Sequence, residues 1–324
     1  VVRLFQFAAV SLSIAAVVLA MLVFGDRSAP SGDGVGLVFA DVPARDAGAA
    51  TPLQSVAMRD GYPLRVRKYN GAEDVPLLVL VHGPTLGGEY FDSLANALRG
   101  KADVIVPDLR EHGTAPGRRG DIDYIGQLED DLADLIAAVA KPDQAVIMGG
   151  HSWGGGLVIR FAGGTYGDLL DGAVLLAPFL DHTAPNTREN SGGGAQLFSR
   201  RIMGLDILNT LGITALNHLP VIQFGMPVAV RDDPLGEPVT TAFSYTLNAS
   251  FTPRRAYLED VAALPPFVLL AGSADEAFIS SQYAPTMGPV TDNGRFDMIL
   301  GASHLGLVDD PRTLGIIEGF LDGY

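Results

Sequence analysis

The 324-residue sequence contains no cysteine. That one absence excludes disulfide bonds, a thiol nucleophile and thiolate metal ligands. Positive charge is scarce: 22 Lys and Arg stand against 37 Asp and Glu, a formal net charge of −15. A surface of that sign repels phosphate backbones, so no nucleic-acid partner is expected, and it holds no general attraction for anionic lipid. No internal repeat occurs and no block of like charges is long enough to form a tail. What the chain has in excess is apolar: 48% hydrophobic residues and a mean hydropathy of +0.25. Such values are high for a water-soluble domain and direct attention to a single apolar segment.

That segment is Leu4–Phe24, broken only by Gln6, Ser11 and Ser13. About 20 residues of this kind span a bilayer as a helix, whereas the apolar core of a cleaved secretory signal is about 7–15 residues long. Residues 1–25 are therefore expected to anchor the chain in a membrane. A cleaved signal is the alternative, with cleavage after Ala20 or Ala40. Arg3 before the segment, against Asp26-Arg27 after it, points to a catalytic domain outside the cytoplasm, or secreted if the segment is removed. Residues 26–52, rich in Gly, Ala, Asp and Pro, read as a linker, with Val35–Val42 as a candidate short strand.

From Leu53 onward, short apolar runs alternate with helical patterns. Gln54–Arg59 and Tyr62–Tyr69 flank Asp60-Gly61, a two-residue hairpin signal. Leu77–Val81 and Asp103–Val106 read as strands buried on both faces. Glu89–Leu98 and Ile122–Val139 read as helices, the second opened by Asp121. Ala173–Leu176, Phe267–Ala271 and Phe296–Leu300 continue the strands, with helices near Ile279–Met287 and Pro311–Leu321. This alternation predicts an α/β fold with a mostly parallel sheet, built from residues 53–178 and 264–324. Residues 179–263, with weaker helical patches such as Leu197–Leu211, interrupt the pattern and are expected to form a cap or lid.

The chain is organised around Ala145–Gly156. An apolar run, Ala145–Met148, meets Gly150-His151-Ser152-Trp153-Gly154 and then a helical pattern carrying Leu157, Val158 and Phe161. A strand turning sharply into a helix, with Ser at the corner of a G-x-S-x-G, is a nucleophile elbow. It lifts the Ser152 hydroxyl clear of the sheet and sets the Trp153 N–H at a helix N-terminus, where an oxyanion is stabilised. A serine hydroxyl needs a base, and the base needs an orienting acid. His304 follows the strand Phe296–Leu300, at the same carboxyl edge as Ser152, and is the expected base. Asp275 follows Phe267–Ala271 through Gly272-Ser273-Ala274 and is the expected acid; Glu276, Asp292 and Asp297 are the alternatives. A second oxyanion donor is expected from the loop His82-Gly83-Pro84-Thr85-Leu86-Gly87-Gly88.

These residues resemble the α/β-hydrolase superfamily. Within it, Val106-Pro107-Asp108-Leu109-Arg110-Glu111-His112-Gly113 and Gly117-Arg118-Arg119-Gly120-Asp121-Ile122-Asp123-Tyr124 resemble the monoacylglycerol lipase and lysophospholipase-like branch. That branch typically carries Asp-x-Arg-Gly-His-Gly-x-Ser and a Gly-Arg-Arg-Gly-like turn; here Glu111 replaces a Gly and Ala115 stands near the Ser. The resemblance covers roughly Leu53–Leu180 and Pro265–Leu321. It implies an α/β-hydrolase fold, nucleophile Ser152, acid Asp275 and base His304, acting on ester substrates without a metal or organic cofactor. In the family, the residue after the His-Gly pair commonly donates an oxyanion N–H, but Pro84 has none. Either Thr85 or Leu86 then supplies the donor beside Trp153, or Trp153 acts with less help. Lipid-derived acyl esters are the favoured substrates. An aminopeptidase with the same triad is an alternative and requires a cap carboxylate for the substrate ammonium, with Glu189, Asp232, Asp233 and Glu237 as candidates. A non-catalytic binding protein on the same scaffold is a further one.

Overall fold

The run Leu77–Val81 is buried at every position, as a strand covered on both faces must be. The computed structural model describes residues 2–26, 51–114, 116–188, 195–225 and 239–324. Among these residues the main sheet has eight strands, in the order β1-β2-β4-β3-β5-β6-β10-β11. These are β1 (Gln54–Ala57), β2 (Pro63–Tyr69), β3 (Leu77–Val81), β4 (Asp103–Asp108), β5 (Val146–His151), β6 (Gly172–Leu176), β10 (Phe267–Gly272) and β11 (Gly294–Ile299). The β1–β2 and β2–β4 pairs are antiparallel and all others parallel. With helices packed against it, this is the α/β-hydrolase fold.

Several boundaries differ from the sequence reading. The β1–β2 connection is a turn over Met58–Gly61 with Asp60-Gly61 at its end, closed by Gly61 N–H donating to the Met58 carbonyl at 2.8 Å. The strands are thus joined by five residues, Met58–Tyr62, in place of the expected two. Helix α3 spans Gln127–Val139 and does not begin at Ile122, because Gly126 sits at φ +103°, where no helix runs. The polar stretch before it satisfies itself instead: the Asp123 N–H donates to Gln127 Oε1 at 2.8 Å. Glu89–Leu98 divides into a tight turn, Gly88–Phe91, and a short helix α2, Asp92–Ala97. The helix expected near Ile279 begins at Tyr283.

The described residues between β6 and β10 form a second layer. Strands β7 (Ala195–Leu197), β8 (Pro220–Phe224) and β9 (Ala242–Ser244) make a three-stranded antiparallel sheet. Helix α5 (Ser199–Thr210) and the helices Tyr245–Phe251 and Tyr257–Ala262 complete it. The Gly-Arg-Arg-Gly turn fastens this layer to the sheet: the Gly120 carbonyl accepts the Ser244 N–H at 2.8 Å, and Arg119 reaches the Thr240 hydroxyl and the Gly113 carbonyl. Buried Glu129 of α3 does the same by bridging Arg160 at 2.6 Å and Arg254 at 2.7 Å.

The N-terminal helix α1 spans Val2–Phe24, and Phe5–Phe24 is long and apolar enough to cross a membrane. Its last turn is not free. Val23 is buried against Leu205, Leu208, Val221 and Tyr245, while Arg201 donates to the Val23 carbonyl and its N–H to Asp26. The candidate strand Val35–Val42 lies outside the described residues, as does nearly all of 26–52.

Candidate active site

The elbow runs from β5 into helix α4 (Trp153–Ala162) through Ser152 at φ +57°, ψ −121°. A non-glycine residue in that region is strained, and a strained serine between strand and helix is held there by its surroundings. The Ser152 N–H donates to the Leu176 carbonyl at 2.9 Å, and the Ser152 carbonyl accepts from Phe179 and Gly156. The flanking glycines are required by contact. A Cβ on Gly150 would stand 2.4 Å from the Gly154 backbone, and one on Gly154 would stand 2.1 Å from the Val81 carbonyl. The strand is longer than the apolar run suggests, because Gly149 and Gly150 continue its pairing with Val174 and Leu175.

Ser152 and His304 line one cavity of about 1570 Å³, bounded by the elbow, the loop after β3, the β11–α loop and the interrupting layer. His304 Nδ1 lies 2.9 Å from Asp275 Oδ2, both side chains buried. The other Asp275 oxygen accepts the Ala277 and Phe278 N–H groups at 2.8 Å each. Burial alone would raise the Asp275 pKa. The charge and ring N–H of His304 and those two amides outweigh it and hold the carboxyl below its ordinary range. Glu276 does not reach the ring: its carboxylate accepts the His304 backbone N–H at 2.9 Å. Asp292 is exposed, and Asp297 pairs with Arg295 at 2.7 Å. The geometry thus brings Asp275 and His304 together and leaves the three alternatives away from the imidazole.

The loop after β3 lies beside the elbow, since a Cβ on Gly83 would stand 3.6 Å from Ser152 Cβ. Three successive carbonyls of this loop face polar groups of the protein. His82 Nε2 accepts the Leu109 N–H at 2.9 Å, so Nδ1 carries the ring proton and donates to the Gly83 carbonyl at 2.6 Å. Burial, reinforced by His112, pushes the His82 pKa well down and keeps that tautomer neutral. His112 faces the Pro84 carbonyl through Nε2 at 3.1 Å and the Arg110 carbonyl through Nδ1 at 3.0 Å, and its neutral ring donates to one of the two, while the Thr240 N–H donates to the Thr85 carbonyl at 3.0 Å. A trans peptide aims its N–H opposite to its C=O. With the Pro84 carbonyl directed at His112 and the Thr85 carbonyl at the Thr240 N–H, the Thr85 and Leu86 N–H groups point the other way. Trp153 opens α4, and the first N–H of a helix has no partner within it.

Aromatic side chains form the wall above the elbow. The Trp153 ring stacks on Phe179 at 5.4 Å and meets Phe224, Phe243 and Phe251 edge-on at 5.6–5.9 Å. Sequence reading missed this cluster, because a Phe in an irregular segment carries no periodic signal. It missed the roles of Tyr90 and of the buried His82, His112 and His151 for a related reason: a single polar residue carries no periodic signal. Glu189, Asp232, Asp233 and Glu237 lie outside the described residues. Among the described residues no group of three or more His, Asp or Glu is gathered as metal ligands would be.

Several comparisons bear on this geometry. The magnesium-chelatase 30 kDa subunit of Rhodobacter capsulatus is 35% identical over 96 residues, which cover 28% of this chain and 32% of that protein, so only about a third of that relative is matched. A soluble variant of monoglyceride lipase from Saccharomyces cerevisiae superposes with a TM-score of 0.63 at 16% identity, over 87% of this chain and 98% of that one. A membrane phospholipase A, described as a bacterial virulence factor, superposes with a TM-score of 0.58 at 18% identity over 100% and 99% of the two chains. Structural likeness at these identities is likeness of fold. The model of the alpha/beta hydrolase family matches residues 78–314, and the chain therefore belongs to the alpha/beta hydrolase family and is a hydrolase by that membership.

Proposed function

We propose that the protein is a serine hydrolase of carboxylic esters, working through an acyl-enzyme. The observation that carries this reading is the buried 2.9 Å contact between His304 Nδ1 and Asp275, in the cavity that Ser152 also lines. Ser152 attacks the ester carbonyl as His304 takes its proton. His304 then returns the proton to the leaving alcohol, and water repeats the sequence to release the acid. Asp275 holds the imidazole in the tautomer that presents Nε2 and stabilises the imidazolium. The Trp153 N–H and the Thr85 N–H stabilise the tetrahedral oxyanion, a contribution on the order of 3 kcal/mol per donor. Pro84 moves the loop donor one residue along, and the directions of the Pro84 and Thr85 carbonyls support that assignment.

Lipid-derived acyl esters such as monoacylglycerol or lysophospholipid are the substrates we favour. Ligand pockets commonly measure about 300–1,000 Å³. A cavity of about 1570 Å³ walled by Trp153, Phe179 and Phe224 accommodates a long acyl chain. Residues 179–263 act as its cap, and residues 1–25 hold the domain at a membrane, outside the cytoplasm. A fluorophosphonate probe is expected to label Ser152, and Ser152→Ala is expected to abolish labelling and lower ester turnover by roughly a millionfold. Equal labelling of the Ala variant would overturn the reading, and an unlabelled wild type would favour a binding protein on this scaffold.

A further inference from the structure

Three parts of the site must hold fixed positions relative to one another: the loop after β3, the elbow and the His304 loop. A buried hydrogen-bond chain that the mechanism does not use joins all three. The Gly83 N–H donates to Tyr90 Oη at 3.0 Å. Tyr90 Oη lies 3.2 Å from His151 Nδ1, and His151 Nε2 lies 3.0 Å from the His304 carbonyl. Only one assignment satisfies every member. A carbonyl accepts and cannot donate, so His151 Nε2 carries the proton. His151 Nδ1 is then an acceptor, filled by the Tyr90 hydroxyl, whose oxygen is free to accept from Gly83. The His151 and His304 rings stand 4.5 Å apart. Burial, with His304 as a lesser cause, lowers the His151 pKa to about 3, so the ring stays neutral and adds no charge beside the base.

The chain also completes the fixing of His304. Its N–H is held by Glu276, its carbonyl by His151 and its Nδ1 by Asp275. Resting on the serine-hydrolase reading above, we infer that Tyr90 and His151 are positioning residues that hold the oxyanion loop and the base in register with Ser152. Neither touches the reacting atoms in this role. Misplacing a catalytic group by about 1 Å can cost around 10²-fold in rate. The cost falls on the chemical step, because the register matters when the tetrahedral intermediate forms and the acyl chain binds elsewhere.

The test is a set of variants assayed on p-nitrophenyl butyrate. Tyr90→Phe is expected to lower kcat about 10- to 100-fold with KM within threefold, and to slow fluorophosphonate labelling of Ser152 to match. His151→Leu is expected to lose as much, and the double variant no more than His151→Leu alone, since both break one chain. His151→Gln is expected to recover most of the rate, because its amide can accept from Tyr90 and donate to the His304 carbonyl, whereas a packing role alone would not distinguish Gln from Leu. An unchanged kcat in Tyr90→Phe, a loss carried by KM, or His151→Gln as slow as His151→Leu would overturn the inference. A wild type that neither labels nor hydrolyses overturns the serine-hydrolase reading instead. The chain is then still decided by the ¹⁵N shifts of His151: a neutral Nε2–H ring supports it, and an Nδ1–H tautomer or an imidazolium overturns it.

Discussion

The strands beside the elbow and the layer that interrupts them are held by different means. In β3, β5, β6 and β10 every residue is buried, and each strand is a near-continuous apolar run that could lie nowhere but between two helical layers. In the layer between β6 and β10 the strands are three to five residues long and partly exposed. It is placed by single contacts: Phe243 and Phe251 against Trp153, Glu129 between two arginines, and the Gly117–Gly120 turn against β9. A repeated pattern places the sheet, while a few side chains reaching across from it place the layer above. Substitutions in the two regions should therefore fail differently.

The sharpest test of the comparison lies at the carboxyl edge of the sheet, where two adjacent carboxylates have different partners. Asp275→Asn keeps the side-chain size but can force the wrong imidazole tautomer, and kcat is expected to fall at least about 10³-fold with the fold intact by circular dichroism. Glu276→Gln can still accept the His304 N–H and is expected to stay within roughly tenfold, as is Asp297→Asn. Steady-state kinetics on one ester compares all three, and an equal loss in Glu276→Gln would assign the acid wrongly.

In the interrupting layer the expected failure is one of packing. Phe243 is fully buried among Trp153, Phe224, Phe251 and His112. Phe243→Ala is expected to cost about 3–5 kcal/mol by denaturant unfolding, from lost transfer energy and a residual cavity. If this layer unfolds separately from the sheet, the variant gives two transitions in place of one. A single, unshifted transition would show that the aromatic cluster does not hold the layer.

A smaller effect concerns the buried carboxylate of the site. A carboxyl whose pKa is depressed by folding contributes its stability in full above its unfolded value, near 3.9, and loses it as the pH falls through the folded value. For Asp275 the loss is thus confined to pH below about 4. Unfolding free energies of the wild type and of Asp275→Asn are expected to converge as the pH falls below about 4, where the wild-type carboxyl becomes protonated. A gap that persisted unchanged in acid would mean that a different group carries the effect.

The smallest effect concerns Glu111, which stands where the related branch has glycine. It occupies φ +64° in a turn closed by the His112 N–H on the Leu109 carbonyl, a conformation glycine adopts without strain. Its carboxylate offsets part of that strain by accepting the Arg118 N–H. Glu111→Gly is expected to stay within about 1 kcal/mol of the wild type, because relief of strain opposes the lost contact and the added freedom of the unfolded chain. Glu111→Val keeps the strain and drops the contact, and is expected to be clearly worse, by about 2 kcal/mol, in the same unfolding measurement.

Much was already decided along the chain itself. Alternating apolar runs and helical patterns specify a parallel sheet, because only strands covered on both faces read that way. The G-x-S-x-G at a strand end specifies a strained corner, since residues larger than glycine at 150 and 154 collide with backbone. The positions of Asp275 and His304 after late strands specify a common edge, because parallel strands all end on the same side. These are local rules, legible within a dozen residues. Tertiary structure separated Asp275 from its neighbour Glu276, because the turn aims one carboxylate at the imidazole and the other at the His304 backbone N–H. It also decided that α3 starts at Gln127, that the last turn of α1 packs on α5, and that His82, His112 and His151 become buried joints of the loop and the elbow. A lone polar residue carries no pattern. Its role depends on which donor or acceptor arrives from elsewhere in the chain, and burial then makes that one partner obligatory.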